Sequence, residues 1–350
     1  MKTNNLSYSV AVFLFFAFTL IGCHEAGNEP DVIQTPPPEL GPQIGNLASR
    51  GTYTTERSWF SGCIYNGHMY IVGGNDTPDY ISSVEYASIN SNGTVGSFST
   101  TTSLPEGRSY HRCIGYKGYL YVISGFIDGN RTDTVLYAPV NQDGTLGAFQ
   151  STTAQLNIPR AGFAAAVHND YLYVMGGSTE ATDGDSVEYG AIAADGNITE
   201  FTTGNNLNTT RSFCSGAAHN GYLYVAGGRK SHNESYETVE YAAIQVDGSP
   251  GTFTIAAETV DTPREIFDVT VYNKYLYLIG GYVNGDTFTL TDTIEYCELD
   301  AVTGAPGTFH YTDNALPNDL YHHTAQAYGD HLYVIGGWNT TDVLSAEFLE

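Results

Sequence analysis

One phrase returns six times along this chain: HMYIVGG at 68–74, YLYVISG at 119–125, YLYVMGG at 171–177, YLYVAGG at 222–228, YLYLIGG at 275–281 and HLYVIGG at 331–337. The first residue of each closing Gly-Gly or Ser-Gly pair falls at 73, 124, 176, 227, 280 and 336, so the period is close to fifty residues. A length of 350 residues would ordinarily suggest two domains of about 150 residues each. A short period overrides that prior, because a unit of this size cannot bury its own apolar faces and must stack on its neighbours.

Each unit reads as four β-rich runs, such as GFAAAVHN (162–169), YLYVMGG (171–177), SVEYGAI (186–192) and EFTTGNN (200–206). Turn residues separate them: SNGTVGSF (91–98), QDGTLGAF (142–149), ADGNITEF (194–201), VDGSPGTF (246–253) and VTGAPGTF (302–309) join third runs to fourth. Asn-Gly and Asp-Gly supply the positive φ that tight hairpins require. The sixth unit stops at VLSAEFLE (343–350), which aligns with the third run SSVEYASI (82–89), so it lacks an outer strand. One spare segment, GNLASRGTY (45–53), precedes the first unit. Pairing the two would close a ring and remove an exposed sheet edge.

A fifty-residue period with a di-glycine after an aromatic-apolar strand resembles the kelch repeat, and the resemblance runs from about residue 45 to 350. It implies an all-β, six-bladed kelch-type β-propeller of the galactose oxidase central domain-like superfamily, closed by pairing of an N-terminal strand with the last blade. Tyr70, Tyr121, Tyr173, Tyr224, Tyr277 and Tyr333 then occupy a fixed wedge between blades, where a large apolar ring with one polar tip fits.

Ahead of the repeats, residues 1–22 pair a weakly basic start with an apolar run from Val10 to Ile21, too short to span a bilayer as a helix. Leu20-Ile21-Gly22-Cys23 resembles the lipobox of bacterial lipoproteins, which implies cleavage before Cys23 and its lipidation. The following stretch to residue 44, rich in proline and acidic groups, reads as a flexible tether. The expected organisation is a signal peptide (1–22), a lipidated Cys and tether (23–44) and a propeller (45–350). The expected location is the bacterial cell envelope, anchored to a membrane by its lipid and facing periplasm or cell surface.

A formal charge of −25 argues against nucleic acid, whose binding relies on clustered Lys and Arg. Cys63, Cys113, Cys214 and Cys297 match no metal-ligand spacing and are expected as buried free thiols. The chain has no G-x-S-x-G, H-E-x-x-H, paired-Cys or P-loop motif, and DGNRTD (128–133) lacks the Gly and terminal Glu of an EF-hand loop. No cofactor and no metal are expected, and the protein is expected to be a monomer.

Five of the nine arginines sit sixteen residues before the glycine anchors, at Arg57, Arg108, Arg160, Arg211 and Arg264, with Leu320 in the sixth unit. A cationic ring at one mouth of the channel would suit a carboxylate or sulfate. The competing reading is an in-blade bridge to the third-run glutamates Glu85, Glu188, Glu240, Glu295 and Glu347. The second unit has Leu136 at the Glu position, so Arg108 is the arginine singled out for ligand contact. Arg229, Tyr282 and Trp338, each just after a glycine pair, and Tyr110 and His111, just after Arg108, complete the candidate set on the same face. The function expected is a binding module for a glycan or protein, with an anionic ligand favoured. The alternative is a sugar mutarotase or epimerase resembling the periplasmic sialate mutarotases, six-bladed kelch proteins whose catalytic residues have no residue-by-residue match here.

Overall fold

The structure is a computed structural model and describes residues 43–350 except 77, 181–182, 232–233, 284–288, 339 and 350. The segment read as a signal peptide, Cys23 and the tether as far as residue 42 lie outside the described residues. Among those described there is no helix, and the strands form six sheets around one axis with four small two-stranded hairpins beside them.

Blade 1 sets the pattern: Ser61–Tyr65, His68–Val72, Val84–Ser88 and Ser99–Thr101 pair antiparallel in chain order, from the axis outward. The innermost strands of blades 2 to 6 are Arg112–Tyr116, Ala164–His168, Ser215–His219, Asp268–Tyr272 and Thr324–Tyr328. Val, Ile, Tyr and Thr fill the strands, residues whose branched or aromatic side chains suit a pleated surface. The first hairpin turns on Asn66 (φ 49°) and Gly67 (φ 76°), the twist-matched two-residue turn.

No blade has a core of its own. Each hydrophobic cluster is shared by two neighbours: Tyr70, Val72 and Val84 of blade 1 pack with Leu120, Val122 and Ala138 of blade 2, and the pattern repeats around the ring to Ile335 and Val343 of blade 6 against Ile64 and Met69 of blade 1. The recurrent tyrosines stand in these seams. Tyr70 Oη donates to the Gly144 carbonyl of the next blade at 2.8 Å, Tyr121 to Gly196 and Tyr173 to Gly248 at the same distance, and Tyr333 across the closing seam to Gly93 at 3.2 Å. The turn glycine is doubly required: Gly144 has φ 83°, and a Cβ there would collide with the ring of His68 in blade 1.

Closure follows the expected scheme. Ala48–Thr52 pairs antiparallel with Thr340–Leu349 as the outer strand of blade 6, with a register shift between Ser49 and Gly51. Gln43–Ile44 pairs further along the same strand, so the paired chain starts two residues ahead of the boundary expected at 45, and Ile44 is fully buried.

The register of blade 6 corrects one alignment. In blade 1, Glu85 lies opposite Ile71. The equivalent partner of Val334 is Leu344, whereas Glu347 lies opposite His331 with its side chain 65% exposed. The sixth blade therefore has leucine at both the Arg and the Glu position, and Glu347 belongs to neither. The similarity of AEF (346–348) to VEY had hidden a three-residue offset.

Removing the hydroxyl of Tyr173 leaves the Gly248 carbonyl without its partner inside a buried seam. Tyr173→Phe is expected to lower stability by about 1–3 kcal/mol in urea titration, with the circular dichroism spectrum unchanged.

Candidate functional site

Two of the loop sets meet on one face of the ring: the turns after each glycine pair, and the segments entering each innermost strand. Bridges such as Ser58 to Asn75, Ser109 to Phe126 and Glu265 to Tyr282 tie them together.

The arginines do not form a ring at the channel mouth. Arg57, Arg160, Arg211 and Arg264 have no exposed side-chain surface and turn into their own blades. In blade 3, Arg160 Nη2 donates to Glu188 Oε1 at 2.6 Å, while Nη1 donates to the carbonyls of Gly176 (2.7 Å) and Ser186 (3.0 Å). Arg57 repeats this with Glu85, Gly73 and Ser83, Arg211 with Glu240, Gly227 and Thr238, and Arg264 with Glu295, Gly280 and Thr293. The glutamate is saturated from the other side: Asn157 and Ile158 donate backbone N–H groups to Glu188, as Thr54 and Thr55 do to Glu85. Hydrogen bonds from Thr54 and the charge of Arg57 outweigh the burial that opposes ionisation, and hold the Glu85 carboxyl below the usual range.

Arg108, singled out for ligand contact, follows the same inward path and is 2% exposed. Leu136 removes its carboxylate, and Pro105 replaces the residue whose N–H would have served one. Its Nη1 reaches only the Ser124 carbonyl, at 3.4 Å, and its Nε has no partner among the described residues. Burial pulls its pKa down to about 10, so it stays charged at neutral pH. Its guanidinium is closed off from the mouth it was expected to line.

Aromatic side chains close that mouth instead. Trp59, Tyr110, Phe213, Ile266 and His322, with Gly162 completing the set, occupy one repeat position around the axis, and all six have positive φ, between 53° and 60°. Backbone hydrogen bonds run from blade to blade through them: Tyr110 N–H to Trp59 O (2.9 Å), Gly162 to Tyr110 (3.1 Å), Phe213 to Gly162 (2.6 Å) and Ile266 to Phe213 (3.0 Å). For a β-branched residue such as Ile266 this conformation costs on the order of 1–3 kcal/mol, held in place by its surroundings. Trp59 stacks on Tyr110 with centroids 3.8 Å apart. His111 and His323 lie in the layer beneath, at the position of Phe60, Phe163 and Phe267. Burial lowers their pKa to about 3 and about 4, and lowers that of His322 strongly, so all three are neutral at pH 7.

Of the remaining candidates, Arg229 sits half-buried on the rim, gripped by both oxygens of Glu265 (2.8 and 3.0 Å) and lying 4.4 Å over the Phe213 ring. Tyr282 is half-buried and Trp338 is 45% exposed, stacked on Tyr321. Tyr110 is half-buried in the plug.

Sequence reasoning passed over the group that crosses the channel. Arg112 of blade 2 reaches Asp268 of blade 5, on the opposite side of the ring, at 3.2 Å, and donates to the carbonyls of Phe163 and Cys214 on the way. Asp268 also accepts from Ser215 Oγ (2.6 Å) and Ala325 N–H (2.8 Å), so the strut touches five blades. The signal was present: the other innermost strands begin with Ser61, Ala164, Ser215 and Thr324, and only these two begin with a charge. Beyond the strut, a cavity of about 210 Å³ is lined by small inner-strand residues including Gly62, Gly115, Ala166 and Gly216. Cys63, Cys113, Cys214 and Cys297 are all buried free thiols. No cluster of three or more His, Cys, Asp or Glu able to hold a metal ion occurs among the described residues.

The family description KLHDC2/KLHL20/DRC7 Kelch-repeats domain matches residues 43–228. The chain is 25% identical over 268 residues to beta-scruin of Limulus polyphemus, covering 72% of this chain and 28% of that protein. It is 25% identical over 194 residues to kelch repeat and BTB domain-containing protein 1 of camelpox virus, covering 53% of this chain and 30% of that protein. The chain thus spans under a third of the length of these relatives. A solved structure titled "Structure of YjhT" superposes with a TM-score of 0.66 at 12% identity, covering 84% of this chain and 94% of that one, a likeness of fold.

Arg160→Leu leaves Glu188 as an uncompensated buried charge and is expected to cost about 3–5 kcal/mol, whereas Arg108→Leu, which copies the apolar solution of blade 6, is expected to raise stability by about 1 kcal/mol. Parallel urea titrations check both. The histidines make a second expectation. Because their folded pKa values lie below the ordinary value of 6.5, their contribution is complete above pH 6.5 and declines as pH falls towards 4 and 3. Between pH 6.5 and 4.5 the urea midpoint should fall, and His111→Phe with His323→Phe should make that slope shallower.

Proposed function

Since this chain belongs to the kelch-repeat family of β-propellers, we propose that it is a binding module for a protein partner, held in the bacterial cell envelope by a lipid on Cys23, with no chemistry of its own. Kelch propellers generally mediate protein interactions. The observation that carries the reading is the state of the axis: stacked rings close one mouth and the Arg112–Asp268 strut crosses the channel behind them. The acids nearest the axis are committed, Asp268 to the strut and Glu265 to Arg229, and His322 is neutral and packed against Trp59. Solvent meets the half-buried outer surface of Trp59, Tyr110 and Phe213 and, around it, a rim of Phe126, Arg229, Tyr282, Tyr321 and Trp338, aromatic faces beside polar forks of the kind that dominate protein interfaces.

The anchoring reading rests on the apolar run and the Leu-Ile-Gly-Cys sequence ending at Cys23. A lipidated Cys23 attaches the chain durably to a membrane, since each buried CH₂ contributes about 0.8 kcal/mol and more than one chain resists release.

Panning a peptide library against the protein, beside a glycan array, tests the function. Peptide binders lost in Phe126→Ala and Tyr282→Ala at unchanged melting temperature are expected, together with an array free of hits. Acceleration of sugar anomer exchange in proton NMR would overturn the reading in favour of a mutarotase, and glycan binding would replace the partner class. Metabolic labelling with a fatty acid should mark the wild-type chain and leave Cys23→Ser unmarked.

A further inference from the structure

The four ion-paired arginines show what their pocket accepts, and blade 6 keeps that pocket without its arginine. By strand register Leu320, Gly336, Asp342 and Leu344 stand where blade 1 has Arg57, Gly73, Ser83 and Glu85. In blade 1, Gly73 offers its carbonyl to the guanidinium, and Ser83 both its carbonyl and its hydroxyl. The same positions in blade 6 border an open cavity of about 190 Å³, with Trp338 and Asp319 at its edge. Leucine at 320 is too short to fill the space that an arginine side chain takes up in the five sister blades, and leucine at 344 removes the carboxylate from the floor.

We propose that this cavity receives the arginine side chain of a protein partner. The stem of an incoming arginine would lie along Leu320 and Leu344, as long cationic side chains do on apolar surface. Its planar fork would face Asp342, which replaces the neutral hydroxyl of Ser83 with a carboxylate at the position that accepts the guanidinium elsewhere. Neither Asp342 nor Asp319 has a salt-bridge partner among the described residues. Trp338 is 45% exposed, and its indole offers a face for cation–π contact. A formal charge of −25 draws a cationic segment towards this surface. Arginine fits better than lysine because the frame is built around a fork: Arg160 and its sisters use both terminal nitrogens at once, one on two carbonyls and one on the carboxylate.

The proposal takes the source of the arginine from the protein-binding reading, and its test contains no partner, so the two stand or fall separately. Nα-acetyl-arginine methylamide and its neutral citrulline counterpart are titrated into the protein, with chemical shifts of the Trp338 indole as readout. Saturable shifts with the arginine amide and at least tenfold weaker binding of the citrulline amide are expected. Leu320→Arg, which refills the cavity from the chain itself, should abolish the shifts, and Asp342→Ser, which restores the residue of blade 1, should weaken binding at least fivefold. Equal binding of citrulline, or undiminished binding in Asp342→Ser, would overturn the assignment. If Leu320→Arg fails to fold, Leu320→Phe serves in its place, blocking the cavity with an apolar ring.

Discussion

Everything in this molecule depends on the seam where its two described ends meet. Each apolar cluster belongs to two blades, so no blade is stable alone and a ring left open by one seam would expose two faces at once. The strand Ala48–Thr52, lying against Thr340–Leu349, completes the sixth sheet, and Tyr333 reaches Gly93 across the same junction. The inner edges need equal care, because the strands next to the axis have unpaired N–H groups. Side chains from the preceding blade serve them: Ser61 for Cys113, Thr324 for Gly62 and Gln326 for Ile64.

The Arg–Glu units fasten a different junction. In blades 3, 4 and 5 the guanidinium joins the loop entering a blade to its second and third strands, while the carbonyl of the same arginine accepts the N–H of a glycine in the previous blade, Arg160 from Gly125, Arg211 from Gly177 and Arg264 from Gly228. One residue thus couples within a blade by its side chain and between blades by its backbone. Blade 6 dispenses with the ion pair and uses Leu320 and Leu344, so the ring tolerates an apolar version of the joint. Blade 2 retains the cation without the anion, which leaves Arg108 the least compensated charge in the frame.

The period, the turn chemistry and the missing outer strand made the blade number and the closure legible, since each is a pattern along the chain. The wedge tyrosines were legible for the same reason. The fate of the arginines was not, because a repeat position fixes which blade element holds a residue and leaves open whether its side chain turns inward or out. Pro105 and Pro317 were the clue that was missed: in the blades with a glutamate, that position is Thr54, Asn157, Asn208 or Asp261, each giving its N–H to the carboxylate. The strut was equally visible as two charges among small residues, but its span across the ring is a fact of three dimensions.

A hollow ring would flatten under load, and its bore would let small solutes travel from one face to the other. The link from Arg112 to Asp268 works as a spoke along a full diameter, pinning opposite blades at a fixed separation. It also backs the closed mouth with a charged floor, so the cavity between the inner strands ends on an ion pair.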